Sequence, residues 1–204
     1  MTDTVLIVGA GGLAKEVADL VTAIGMEVEA FYAESSAQVL HPIAGVAVID
    51  DLDAVKSRYA VVAIGDTAAR KRFCGILGGR FELPTLVHPL ACVSGSARLS
   101  EGVLVMQNAV VNSGADIGRG ALLNVACCVA HDCHVGAYSH LAPATQMGGG
   151  SSVGEGVFCG TSSVVLPNTE VGEWSVCGAG AVVTTIIPAR CLAVGIPARP
   201  VKQL

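Results

Sequence analysis

The chain has 204 residues, which allows one domain or two small ones at roughly 100–200 residues per domain. Apolar residues make up 52%, charged residues 14% and aromatics 4%, with 25 glycines; disordered chains are charge-rich and aliphatic-poor, and no glycine recurs at every third position, so disorder and collagen are both excluded. The net charge is −5, from 12 basic and 17 acidic residues, without the basic stripe that a nucleic-acid surface needs.

In chain order, the start Met1-Thr2-Asp3-Thr4 has no basic region and leads straight into Val5-Leu6-Ile7-Val8, a short buried strand. No signal peptide is expected, and no run approaches the roughly 18 apolar residues of a membrane helix, so the expected location is the cytoplasm. Gly9-Ala10-Gly11-Gly12 predicts a turn. Residues 13–24 predict a helix, with an apolar stripe at 13, 17, 20, 21 and 24. Residues 28–32 and 46–49 read as strands, and Asp50 or Asp51 can cap a short helix running towards Arg58. Residues 60–64 read as a fourth strand ending at Gly65-Asp66, residues 67–77 as a helix, and residues 81–87 lead out. Strands alternating with helices predict an α/β domain with a parallel sheet and crossovers. Residues 1–85 are about half of a dinucleotide-binding fold, a half-Rossmann domain.

From residue 86 to 204 a different rule holds. An aliphatic, Met or Cys residue recurs every six positions from Val93 through Leu99, Val105 and Val111 to Val183. Four residues after each stands a small or compact one, as at Ala109, Ala115, Cys127, Ser139 and Thr145. This is the hexapeptide repeat of a parallel β-helix, one short strand and one corner per repeat, three repeats per triangular coil, about five coils in all. The repeat residue points inward and stacks on its equivalent one coil along. Glycine often follows it, as at 118, 136, 148, 154, 160, 172 and 178, and is expected there because the backbone turns through positive φ. Positions 18 apart fall on one column at about 4.8 Å spacing. His131, Gly149, Pro167 and Thr185 form one corner column; Pro143, Thr161 and Ala179 form a second, with His140 on the strand entering it. His131 and His140 are half a circuit apart, on opposite sides of one coil. A small site could use both only if a second chain packed alongside.

His131-Asp132 is the leading candidate for chemistry. A corner histidine can be an ordinary surface residue, but an adjacent carboxylate orients the ring and raises its basicity, which suits a general base. His134 and His140 also face outward, which raises a metal site; zinc needs three or four converging ligands, which these positions do not supply within one chain, so no metal is expected. Gly148-Gly149-Gly150, one coil from His131, is bare backbone whose N–H groups could polarise a carbonyl, or simply a corner that needs glycine. Gly9-Ala10-Gly11-Gly12-Leu13-Ala14 follows a strand and opens a helix, where N–H groups hold phosphate, and Glu34 ends the second strand where a ribose-binding acid would stand. The eight cysteines, without a CxxC, read as reduced packing residues, with Cys159 and Cys177 stacked inside and Cys127 and Cys133 in the small inward slot.

The glycine-rich strand–turn–helix, the run Asn124-Val125-Ala126-Cys127-Cys128-Val129-Ala130-His131-Asp132-Cys133-His134-Val135-Gly136, and the end Val194-Gly195-Ile196-Pro197-Ala198-Arg199-Pro200-Val201-Lys202 together form a pattern that covers essentially the whole chain. It resembles the NeuD-like and PglD-like sugar acetyltransferases, hexapeptide-repeat acyltransferases with a left-handed β-helix. The resemblance implies an acetyl-CoA-dependent enzyme that N-acetylates a UDP-, GDP- or dTDP-linked 4-amino sugar by direct transfer, in a homotrimer with active sites between chains. It implies His131 as catalytic base and Asp132 as its helper. It places acetyl-CoA contacts on His140, Gly149, Thr161 and Ala179, and nucleotide-sugar contacts on Gly11, Gly12, Leu13, Ala33, Glu34 and Gly65. Two positions depart from the family pattern: Leu13, often polar or histidine in relatives, and His134, commonly aliphatic. O-acetylation of sialic acid or CMP-sialic acid uses the same base and remains the near alternative. A metal hydro-lyase of carbonic anhydrase type, a non-catalytic nucleotide-binding module and, more distantly, an NAD-linked oxidoreductase are the alternatives of other classes.

Overall fold

The computed structural model describes residues 3–34 and 41–204; residues 1 and 2 of the start, and residues 35–40, lie outside the described part. The first part is a parallel sheet of β1 (Thr4–Val8), β2 (Glu27–Tyr32), β3 (Val48–Ile49) and β4 (Tyr59–Val62), in the spatial order β3-β2-β1-β4. Two helices complete it, α1 (Gly12–Ala23) and α2 (Thr67–Leu77). Val5, Leu6, Ile7 and Val8 of the inner strand β1 are all buried, as a parallel strand covered on both faces requires. Val5 and Ile7 pack with Val17, Leu20 and Val21 of α1, and Leu6 and Val8 with Phe73, Cys74 and Leu77 of α2.

Two expectations shrink here. The third strand is Val48–Ile49 only, because Val46 pairs back on Ile43 in a tight turn. The short helix towards Arg58 is a single 3-10 turn, Leu52–Ala54, in which Asp51 accepts the Asp53 N–H at 2.8 Å. The carboxylate of Glu29 then takes the N–H groups of Lys56 and Ser57, at 2.9 and 2.6 Å, and those bonds hold the chain out of a helix.

The repeat region is a parallel β-helix of two-residue strands in three sheets. Register is regular: Leu122–Leu123 lies between Leu104–Val105 and His140–Leu141. The repeat residue is the second of each strand and points inward, and Val105, Ile117, Leu123, Val135 and Val153 are completely buried. The inward cysteines pack as expected, with Cys159 beside Cys177 in adjacent coils.

The glycine expectation is overturned. Left-handed φ falls three residues after the repeat residue, at Gly114, Gly120 and Gly150 but equally at Asn108, Asp132 and Ser162. The glycines directly after the repeat residue have another cause. A Cβ at Gly136 would stand 2.3 Å from the backbone of Gly154, and one at Gly118 2.5 Å from the Ala137 nitrogen. The next coil's backbone passes too close for any side chain.

The outward residues of the three sheets differ. One face carries Arg98, Asp116, His134, Ser152 and Glu170. A second carries Cys92, Val110, Cys128, Gln146, Val164 and Val182. The third begins with Leu86, Leu104 and Leu122, which with Met106 are buried against the α1 side of the first domain. The end was not anticipated by the repeat: Val176–Cys177 pairs with residues 192 and 193, shortening the register, and Cys191–Gly195 turns back as an antiparallel hairpin onto Ala198–Gln203.

Candidate active site

His131 stands on the corner between the Val110-bearing face and the polar face, opposite the face on which the first domain docks. Asp132 follows at φ +58, a left-handed conformation that aspartate tolerates better than most residues. The turn swings its carboxylate back, and His131 Nδ1–H donates to Oδ2 at 2.9 Å. That bond leaves Nε2 as the basic nitrogen. Both side chains are exposed, by 69% and 72%, so the pair adds little stability and its effect is orientation.

Two glycines seat the pair. A Cβ at Gly149 would meet His131 Nε2 at 2.5 Å, and one at Gly114 would meet Asp132 Oδ1 at 2.5 Å. The imidazole therefore rests on the backbone of Gly149, one coil along. Gly150 N–H donates to His131 O at 2.9 Å, while the neighbouring Gly149 N–H has no hydrogen-bond partner among the described residues. A base and an unused N–H donor thus lie side by side.

His140 departs from expectation. It faces outward from the β-helix but is buried, 7% exposed, because residues 64–70 of the first domain cover it. Val125 N–H donates to Asn124 Oδ1 at 2.7 Å, so the Asn124 amide nitrogen is the group facing His140 Nε2, at 3.3 Å. Nε2 accepts, and Nδ1–H donates to Gly65 O at 3.0 Å. The ring of Phe158 stands edge-on at 5.0 Å. Burial, then the nearby Arg70 cation, push the His140 pKa down to about 4, against the Gly65 bond. Gly65 and His140 are thus brought together, whereas His131 and His140 are not brought together within one chain. Thr161 and Ala179 are exposed on the corner beyond His140, with Gly180 N–H donating to Thr161 O at 2.9 Å. His134 is exposed on the polar face. Among the described residues no three His, Cys, Asp or Glu side chains are grouped to hold a metal ion.

At the other end, Gly9 is needed for packing: at φ +125, a Cβ would meet Ala63 O at 2.5 Å. Gly11 and Gly12 have open space around them, so packing does not require them. Gly11 caps α1 with no side-chain hydrogen bond, which leaves the first N–H groups of the helix, those of Gly12 and Leu13 among them, for an anion. A cavity of about 460 Å³ opens beside this turn, lined by Ala10, Lys15, Ala33, His41, Ile43 and Val48. Glu34 is held bidentately by Arg72, at 2.9 and 2.5 Å, and that pairing keeps its carboxyl below the usual carboxylate range. Lys15, His41 and Arg72 carry no sequence signal; each reaches the site through tertiary packing. Asn124 opens the run that holds His131, where spacing alone assigns it no role.

Residues 4–77 match the family model of the PglD N-terminal domain. GDP-perosamine N-acetyltransferase of Escherichia coli O157:H7 is 30% identical over 152 residues, covering 72% of this chain and 69% of that protein. The chain belongs to the PglD-like family of sugar acetyltransferases. A mutant of perosamine N-acetyltransferase from Caulobacter crescentus, crystallised with CoA and GDP-perosamine, superposes with a TM-score of 0.93 at 35% identity, covering 100% of this chain and 99% of that one. The acetyltransferase domain of PglB from Neisseria gonorrhoeae, in complex with acetyl coenzyme A, gives 0.90 at 32% identity, covering 98% and 100%. The fold of the PglD-like family, a parallel-sheet domain followed by a left-handed β-helix, is thus the one expected from the repeat and the glycine turn. Of several other curated relatives the chain spans only 26–34% of their length.

Proposed function

We propose that the chain transfers an acetyl group from acetyl-CoA to the amine of a nucleotide-linked 4-amino sugar. The observation that carries this reading is His131, held by Asp132 through Nδ1 and resting on Gly149 with its N–H unused. The amine nitrogen attacks the thioester carbonyl as His131 Nε2 takes its proton. The Gly149 N–H donates to the oxyanion. Collapse breaks the C–S bond, and the imidazolium returns the proton to the leaving thiolate, giving amide and CoA. No covalent enzyme intermediate is required.

Acetyl-CoA is assigned to the corner of Thr161 and Ala179 with His140 beside it, and the nucleotide sugar to Gly11, Gly12, Leu13, Ala33, Glu34 and Gly65. The complexes of the perosamine enzyme with CoA and GDP-perosamine support both substrate classes. A homotrimer is the assembly that this reading expects, and the geometry is compatible with it. His131 stands at one edge of the face carrying Val110, Cys128, Val164 and Val182, and Thr161 and Ala179 stand at the other. These apolar side chains are only half-buried, and a neighbouring copy packed there would bring the two edges together. Light scattering should then give three times the 20.6 kDa chain mass. The described residues include no helix long and apolar enough to cross a membrane, and eight free thiols support a reducing, cytoplasmic setting.

The test is thiol release from acetyl-CoA with a panel of GDP-, UDP- and dTDP-linked 4-amino sugars and of free and CMP-linked sialic acid. Release with an amino sugar is expected, GDP-perosamine first. Release only with a sialic acid would replace N-acetylation by O-acetylation.

A further inference from the structure

Arg70 lies in the first turn of α2 and is 2% exposed. Its guanidinium meets carbonyls. Nε and Nη2 donate to Ile64 O at 2.9 and 2.6 Å, Nη2 reaches Gly65 O at 3.4 Å, and Nη1 donates to Ser139 O at 3.2 Å. No carboxylate forms a salt bridge with it among the described residues; the Asp66 carboxylate acts on it only through space, and the Cys74 thiol beside it is held neutral by burial. A buried cation without an anion is costly, and an apolar side chain of similar volume would fill the space more cheaply. The three carbonyls explain where the charge points but not why the chain keeps one there.

What those carbonyls adjoin gives a reason. Gly65 O also accepts from His140 Nδ1–H, and Ser139 is the residue before His140. One fork therefore grips the loop after β4 and the strand that carries His140, although Gly65 and His140 are 75 residues apart in sequence. The ring also meets the Asn124 amide, facing Nε2, and Phe158, both of them neutral.

We propose that Arg70 is a positioning residue of the transfer site: it clamps residues 64–65 onto the β-helix so that His140 is held as the Nδ1–H form, with Nε2 as an acceptor facing Asn124. The inference rests on the reading that places His140 beside acetyl-CoA and Gly65 beside the nucleotide sugar. The Arg70 charge also disfavours a second proton on the ring. His140 accordingly offers the acetyl group an uncharged surface and an amide donor from Asn124, and any movement of residues 64–65 on nucleotide-sugar binding is carried to the acetyl side.

The experiment uses the full-length protein with ¹⁵N-labelled histidine, in wild type, R70M and R70K. In wild type, the His140 nitrogens should report a protonated Nδ1 and a bare Nε2, unchanged from pH 8 to about pH 5. R70M should raise the His140 midpoint by one unit or more, about a tenfold change in proton affinity. R70K keeps a charge but cannot bridge the carbonyls, so its ring should populate both tautomers. In both variants kcat should fall about tenfold or more, within the range for a misplaced group. If R70M fails to fold, R70K carries the test. Native melting with His140 nitrogens identical to wild type in the folded variants overturns the proposal, as does lost activity with those nitrogens unchanged, which would make Arg70 structural only. If the tautomer shifts but wild type releases no CoA with any acceptor, the acetyl-transfer reading fails while the proton placement stands.

Discussion

His131 is oriented by a carboxylate on one side and a bare backbone on the other, and each can be removed separately. His131→Ala should lower kcat about 100-fold or more, the range for a general base, with the melting temperature unchanged because the ring is exposed. A fall of less than about threefold would remove the residue from that role. Gly149→Ala is the sharper probe. Its Cβ would stand 2.5 Å from Nε2, so the ring must swing away while the fold stays intact. The expected result is a 10- to 100-fold loss in kcat, about what a 1 Å displacement of a reacting group costs. Unchanged kcat would show that the imidazole does not act from this position.

Along a strand or helix, glycines that look alike in sequence do different things. At Gly136 the next coil's backbone passes 2.3 Å from where a methyl group would stand, so Gly136→Ala should destabilise by about 1–3 kcal/mol through overpacking. Gly75, in the last turn of α2, has nothing within 4 Å of the equivalent point, and Gly75→Ala should stabilise by up to about 1 kcal/mol because alanine is the better helix former. Urea denaturation of the two variants tests both signs. The six-residue period announces the coils, yet it attributes glycine to backbone conformation when close approach is the cause. Left-handed φ falls two residues later, where Gly shares the position with Asn, Asp, Ala and Ser.

The two domains meet over His140, and that contact links stability to pH. Its pKa lies near 4 in the folded chain against the ordinary 6.5. The unfolded chain therefore binds the proton more readily, and stability is full above pH 6.5 and declines as pH falls towards 4. The span corresponds to about 3 kcal/mol. Unfolding midpoints in urea at pH 7 and pH 4.5 should show the loss in wild type and a smaller one in His140→Asn. Equal losses would mean that another group dominates acid sensitivity.

The sequence alone determined the coil register, the strand–helix alternation, α2 to the residue, and the His131-Asp132 corner, because each follows from where neighbouring residues must point along one element. A period of six or an apolar stripe is a local property, repeated until it is unmistakable. Tertiary structure alone decided that His140 is buried and neutral, that Glu34 is tied to Arg72, and that Arg70 grips both domains. His140 and Gly65 are 75 residues apart, and no spacing rule spans that distance. A trace was present: Leu86, Leu104 and Leu122 repeat every 18 residues at outward positions, where a solvated face would carry polar side chains. That stripe marks a docked face. Which loop lands on it, and which histidine it covers, depends on the packing of one folded domain against another.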